Sequence, residues 1–171
     1  MSYDPEIHQR RSIRLPGYDY SQAGPYFVTL VTYDRICLFG KIKESHMALN
    51  LAGLCVQTGL QSLSNLFPLS LNEMVVMPNH LHFILTITQT DHTLSKPTKV
   101  NKSHARTLGA IIQNFKSTTT RKINAQTGNK GFPIWQRNYY EHIVRDQNDY
   151  ERIADYIRCN PQNWENDELI V

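Results

Sequence analysis

The sequence predicts an α+β fold in which helices pack on an antiparallel sheet. Short β-branched and aromatic runs alternate with longer segments whose apolar residues recur at helical spacing. Two of the runs follow one another across a Pro-Asn pair, the mark of an antiparallel hairpin. The length, 171 residues, suffices for one well-buried domain and not for two.

Residues 1–24 are polar and punctuated by Pro and Gly, and read as an arm ahead of a domain spanning 25–165, with 166–171 as a C-terminal tail. Residues 26–32 (Tyr-Phe-Val-Thr-Leu-Val-Thr) predict a strand. A turn at 33–35 leads into a short apolar run, 36–39, closed by Gly40. Over 45–66, Met47, Leu51, Leu54, Cys55, Leu60 and Leu63 recur near helical spacing, with Ser45 as the expected N-cap and Pro68 just beyond the end. Strands are expected over 71–77 and 80–88, and a polar, Pro-containing loop over 89–103. A second helix is expected from about 104 to 123, with Leu108, Ile111, Ile112 and Phe115 facing inward. After a turn at 128–133 and a mixed aromatic stretch at 135–145, Asp146 would cap a third helix that stops before Pro161.

Composition narrows the class. Apolar residues make up 40% and charged residues 19%, as in ordinary globular proteins. No apolar run reaches the eighteen residues that a membrane helix needs, and none follows the N-terminal charges as a secretory signal would. Three scattered cysteines, Cys37, Cys55 and Cys159, offer neither a disulfide framework nor a Cys-x-x-Cys zinc pair, so a cytoplasmic location is expected. The net charge is only +3, but basic residues gather at Arg10–Arg14, at 96–106 and at 116–122, while acidic ones gather near the C-terminus. That asymmetry suits phosphate binding along one side, as it also suits plain solvated surface.

Candidate chemistry begins at His80-Leu81-His82. Strand side chains alternate faces, so both imidazoles point one way, about 6–7 Å apart, and can converge on one divalent metal. The same pair could equally be two histidines on a polar strand face. On the third helix, Tyr150, Ile153 and Ile157 form the stripe that packs on the sheet, and Tyr156 and Asn160 stack beside it with Arg152. An aromatic at the core edge and a helix cap before Pro161 are the structural alternatives for those two residues.

Three blocks extend the reading: Val75-Val76-Met77-Pro78-Asn79-His80-Leu81-His82, Trp135-Gln136-Arg137-Asn138-Tyr139-Tyr140-Glu141-His142-Ile143-Val144-Arg145, and Asp155-Tyr156-Ile157-Arg158-Cys159-Asn160-Pro161. With Gly24-Pro25-Tyr26-Phe27-Val28-Thr29, they resemble the single-tyrosine HUH transposases. Within that group they look most like the REP-associated tyrosine transposases, a branch of the 200/605 insertion-sequence group. The similarity covers roughly residues 26–164 in order and spacing.

The resemblance implies a ferredoxin-like (RRM-like) fold and Tyr156 as nucleophile. It implies His80, His82 and Asn160 as ligands of a divalent metal, Mg or Mn, although the family often carries a longer Gln at the position of Asn160. Its expected activity is cleavage and rejoining of single-stranded DNA, hairpin-flanked, through a phosphotyrosine intermediate; monomer and homodimer both remain open. Lys96, Lys99, Lys102, Arg106, Lys116, Arg121 and Lys122 are candidates for contacts to the DNA backbone, and Tyr139 and Tyr140 for base stacking.

Two rival readings differ in class. A His-x-His amidohydrolase needs a barrel of about 250 residues, longer than this chain. A non-catalytic or domesticated DNA- or RNA-binding module on the same fold would bind without metal, but no aromatic RNP signature is visible on the expected strands.

Overall fold

The computed structural model describes residues 18–88 and 107–169. The elements run β1 (Gly24–Val31), β2 (Gly40–Lys43), β3 (His46–Leu49), α1 (Leu51–Gln61), β4 (Leu69–Val76), β5 (His80–Ile87), α2 (Leu108–Thr127), β6 (Tyr140–Ile143) and α3 (Gln147–Cys159), and a 3-10 segment, Asn160–Asn166, continues from α3. Strands β4, β5, β1 and β6 form one antiparallel sheet in that order. With α1 and α2 as its crossovers, this is the β-α-β-β-α-β arrangement of ferredoxin-like folds. The expected fold class stands.

Strand alternation assigns the two faces. Tyr26, Val28 and Leu30 of β1 and Leu81, Phe83, Leu85 and Ile87 of β5 pack with Val56 and Leu60 of α1 and with Ile111, Ile112, Phe115 and Ile123 of α2. Each such Leu, Ile or Phe, fully buried, contributes about 1.5–3 kcal/mol relative to exposure. On the opposite face Phe27 and Ile84 meet Ile153, Ala154 and Ile157 of α3. The sheet therefore lies between two helical layers, with β5 buried on both sides along most of its length.

The first helix differs from expectation. It starts at Leu51, capped by Asn50, whose side chain accepts a hydrogen bond from Gly53 N at 3.0 Å. Ser45 instead joins Glu44 in a two-residue turn with φ of 62° and 48°, and β3 folds back antiparallel on β2. Met47 fits the helical series with Leu51 and Leu54 and equally a two-residue period with Leu49, and the turn decides between them. Leu51 and Leu54, two of the apolar residues at helical spacing, are exposed.

Helix α2 is capped by Thr107, which accepts from Ala110 N at 3.2 Å, and it runs past the expected end to the left-handed Gly128, φ 72°. Its expected start near 104 and the expected loop 89–103 lie outside the described residues. The mixed stretch after the turn yields β6 at the sheet edge and Trp135, whose indole donates to Thr119 Oγ1 at 3.0 Å. The third helix has the expected cap, Asp146 accepting from Asp149 N at 2.9 Å. The chain stays helical through Pro161, which fits the first turn of the 3-10 segment.

Gly53 brings α1 against the β2–β3 hairpin: a Cβ there would stand 2.2 Å from the carbonyl oxygen of Phe39. Gly53→Ala is therefore expected to destabilise the protein by about 1–3 kcal/mol through overpacking, against the gain in helix propensity. Urea unfolding of the two proteins measures it.

Candidate active site

The site forms where β5 and β1 pass under α3. Alternation directs His80 and His82 toward the α3 layer, both fully buried, with their ring centroids 4.6 Å apart. The register pairs Thr29 with His82, and Thr29 Oγ1 hydrogen-bonds His82 Nδ1 at 2.7 Å. His80 Nδ1 bonds the side-chain oxygen of the preceding residue, Asn79, at 2.7 Å. Phe27 stacks on His82 and Trp164 lies tilted beside His80.

Helix α3 supplies the rest. Ile153 and Ile157 bury the stripe that fixes its rotation, and Tyr156, one position before Ile157, comes down at the edge of that contact. The Tyr156 hydroxyl stands 3.2 Å from His82 Nε2. Its ring is 47% exposed, so the phenol is at once against the imidazole and open to solvent. One turn further, Asn160 is buried at 3% exposure, and its Oδ1 has no hydrogen-bond partner among the described residues. His80 Nε2 is likewise buried without a hydrogen-bond partner there.

Asp167, just past the 3-10 segment, was not among the residues singled out from the sequence. Its Oδ2 lies 3.6 Å from His80 Nε2, and one ligand atom each from His80, His82 and Asp167 all lie within 4.8 Å of one another. No local pattern marks it: it sits in the stretch expected to be a tail, and only the continued helical turn after Pro161 carries the chain back over the histidines. Asn79, read only as a turn residue, is buried beside His80.

Electrostatics agree with a ligand-binding role. Burial lowers the His80 pKa below the usual histidine value, opposed by the Asp167 carboxylate and the Asn160 amide. Burial, then the neighbouring His80, holds His82 well below that value. Both imidazoles are thus neutral near pH 7, the state that offers lone pairs. The Tyr156 phenol is raised, first by burial and then by Asp167, with the Asn160 side chain opposing and Glu168 adding to the rise.

No protein-family model matches the chain. An uncharacterized protein of Haemophilus influenzae is 40% identical over 177 aligned residues, covering 99% of this chain and 97% of the relative. This chain belongs to the same family as that protein. A second Haemophilus influenzae protein, provisionally named a REP-associated tyrosine transposase, is 25% identical over 84% of this chain and 73% of its own length. Among solved structures, a REP-associated tyrosine transposase bound to a REP hairpin superposes with a TM-score of 0.55 at 23% identity, over 89% of this chain and 74% of that one. That likeness is one of fold.

Beside the phenol opens a groove of about 930 Å³ lined by Gln136, Asn138, Tyr139, Tyr140, Arg152 and Asn163, with Tyr156 and His82 in its wall. Tyr139 and Tyr140, expected to stack bases, both line it. Tyr140 is 54% exposed and rests edge-on against Phe27. Lys116, expected at the DNA backbone, donates through its ammonium to the main-chain carbonyls of Gln136, Arg137 and Asn138 at 2.7, 3.4 and 2.9 Å and so braces the groove wall. Burial lowers its pKa to about 8. Arg121 and Lys122 are exposed on α2, across the sheet from α3 and the groove. Lys96, Lys99, Lys102 and Arg106 lie outside the described residues. No helix among the described residues is long and apolar enough to cross a membrane.

The position of Tyr156 depends on how α3 is tied at both ends. Its far end is held by the ion pair of Arg158 with Glu73 of β4. At its start, Asp149 accepts from His142 of β6 at 2.7 Å, from Arg152 at 2.6 Å and from Arg145 N at 3.3 Å. The His142 bond first, then the Arg152 and Arg145 bonds, draw the Asp149 pKa down to about 2. A carboxyl lowered on folding stabilises in full above its unfolded pKa, near 4, and loses that contribution as pH falls through about 2. Asp149→Asn is expected to cost roughly 1–2 kcal/mol at pH 7, and its deficit against the native protein should shrink between pH 4 and 2. Denaturant melts across that range check both parts.

Proposed function

We propose that this protein is a transposase that cleaves and rejoins single-stranded DNA through a covalent bond to Tyr156. The observation that carries the reading is the meeting of the phenol with two buried, neutral imidazoles. Tyr156 Oη is 3.2 Å from His82 Nε2, while His80 Nε2 and Asn160 Oδ1 sit buried without a hydrogen-bond partner within the described residues. Buried polar atoms without partners are costly in a native protein and suggest a missing ligand. Two imidazoles, an amide and the Asp167 carboxylate suit a divalent cation, Mg or Mn, more than an organic ligand.

His80, His82 and Asn160, with Asp167, would hold that cation, which when bound withdraws electron density from a phosphodiester and neutralises charge in its transition state. The groove gives an unpaired backbone access to the phenol, and the exposed ring of Tyr140 offers a face for an unstacked base. The Tyr156 oxygen bonds to phosphorus as the bond from phosphorus to the 3′-oxygen breaks. The phenol proton leaves to water in the groove, and the departing 3′-oxygen takes up a proton to become a hydroxyl. The product is a 5′-phosphotyrosine that conserves the bond energy, so a second 3′-hydroxyl can displace Tyr156 without ATP. The distant relative named as a REP-associated tyrosine transposase, and the solved transposase with its REP hairpin, support a hairpin-flanked strand as the substrate to try first.

Incubation with labelled single-stranded and hairpin-flanked oligonucleotides and Mn²⁺ is expected to give an adduct that survives denaturation and is lost in Tyr156→Phe. His80→Ala and His82→Ala should each lower adduct formation on the order of 10²-fold or more while leaving much of the DNA binding. Binding without adduct on every substrate would instead favour a non-catalytic module, and full activity in either histidine variant would refute the cation assignment.

A further inference from the structure

Asn79 is buried at the turn between β4 and β5, and its amide bonds in two directions. The nitrogen donates to the carbonyl of Leu169 at 2.7 Å and to that of Arg35 at 3.1 Å. Main-chain carbonyls only accept, so these two bonds fix which end of the amide is nitrogen. The oxygen then faces His80 Nδ1 at 2.7 Å. A carbonyl oxygen cannot donate, so Nδ1 must carry the imidazole hydrogen and the lone pair is left on Nε2.

The same residue holds the chain that approaches Nε2. Leu169, clamped by Asn79, donates its own N–H to Asp167 Oδ1 at 2.7 Å, and the other carboxylate oxygen is the one 3.6 Å from His80 Nε2. Arg35 adds a bond to the carbonyl of Glu168 at 3.3 Å. Residues 160–169 thus form a strap whose last turn is seated on Asn79, in the turn just before His80, and on Arg35.

We propose that Asn79 is a two-ended positioning residue: its oxygen sets the tautomer of His80, and its nitrogen seats the strap that presents Asp167 to the same imidazole. Resting on the reading that the site holds a cation, the consequence is a linkage: seating the strap and loading the cation favour each other by the same factor.

Two variants separate the two ends. Asn79→Asp keeps an oxygen for His80 Nδ1 but replaces the donor with an acceptor facing two carbonyls, whereas Asn79→Ala removes both ends. In metal-free protein, Asn79→Asp is expected to retain the Nδ1–H tautomer in ¹⁵N NMR spectra while backbone amides of 160–169 exchange at least tenfold faster. Asn79→Ala should show both the faster exchange and a mixed tautomer, with thermal melts confirming that each variant is folded. Titration with Mn²⁺ should slow exchange of the strap in the native protein, and calorimetry should give an affinity 10- to 100-fold weaker in both variants, the usual range for a partner behind a ligand. Native exchange and an unchanged tautomer in Asn79→Ala would overturn the proposal. If the variants behave as expected without metal but the native protein binds no Mn²⁺, the positioning role stands and the cation assignment of the proposed function fails.

Discussion

Helix α3 lies across β1 and β5 on a small apolar contact, Ile153, Ala154 and Ile157 against Phe27 and Ile84, and the position of Tyr156 over the histidines follows from it. The contact sets the rotation of the helix, and rotation decides whether the residue beside the stripe faces the sheet or the solvent. Tyr156 falls between the two, with its ring edge on Phe27 and His82 and much of its surface exposed. A rotation by one residue, about 100°, would carry the phenol away from the histidines entirely. The ties at either end, Asp149 to β6 and Arg158 to β4, oppose such a slip.

The layer between sheet and helix is also where the fold tolerates polarity. Across the sheet, the face toward α1 and α2 is a large core built almost wholly of hydrocarbon and aromatic rings. The α3 side buries Thr29, His80, His82 and Asn160 beside a much smaller apolar cluster. Stability resides mainly in the first layer, which leaves the second free to hold groups whose desolvation is unfavourable. The depressed basicity of the two histidines is the electrostatic sign of that arrangement.

Much of this was legible in the sequence. The period of two in His80-Leu81-His82 and the helical stripe of Tyr150, Ile153 and Ile157 are local signals, and in the structure Tyr156, beside that stripe, stands 3.2 Å from His82. The strand and helix pattern likewise conveyed an α+β fold with helices on an antiparallel sheet, because burial on one face forces each period; the ferredoxin-like order came from the family resemblance. Where the signals were ambiguous or non-local the reading stopped short. Met47 fits a helical period with Leu51 or a two-residue period with Leu49, and the left-handed turn at Glu44 and Ser45 selects the second. The carbonyls that hold Lys116 could not be read in advance, because nothing in its neighbourhood of sequence points to a loop some twenty residues away. Asp167 was invisible because its partner is His80, 87 residues earlier, joined only by tertiary folding.

The proposed nucleophile Tyr156, the buried amide and the nearby carboxylate all come from one unbroken stretch, residues 147–169, while both imidazoles belong to the sheet. The chemistry is therefore divided along a single seam, with its halves on opposite sides of one interface. Anything that pries the last stretch of chain from the sheet removes three side chains in one movement and leaves the histidines in place, so the proposed catalytic apparatus would be assembled or dismantled as a unit.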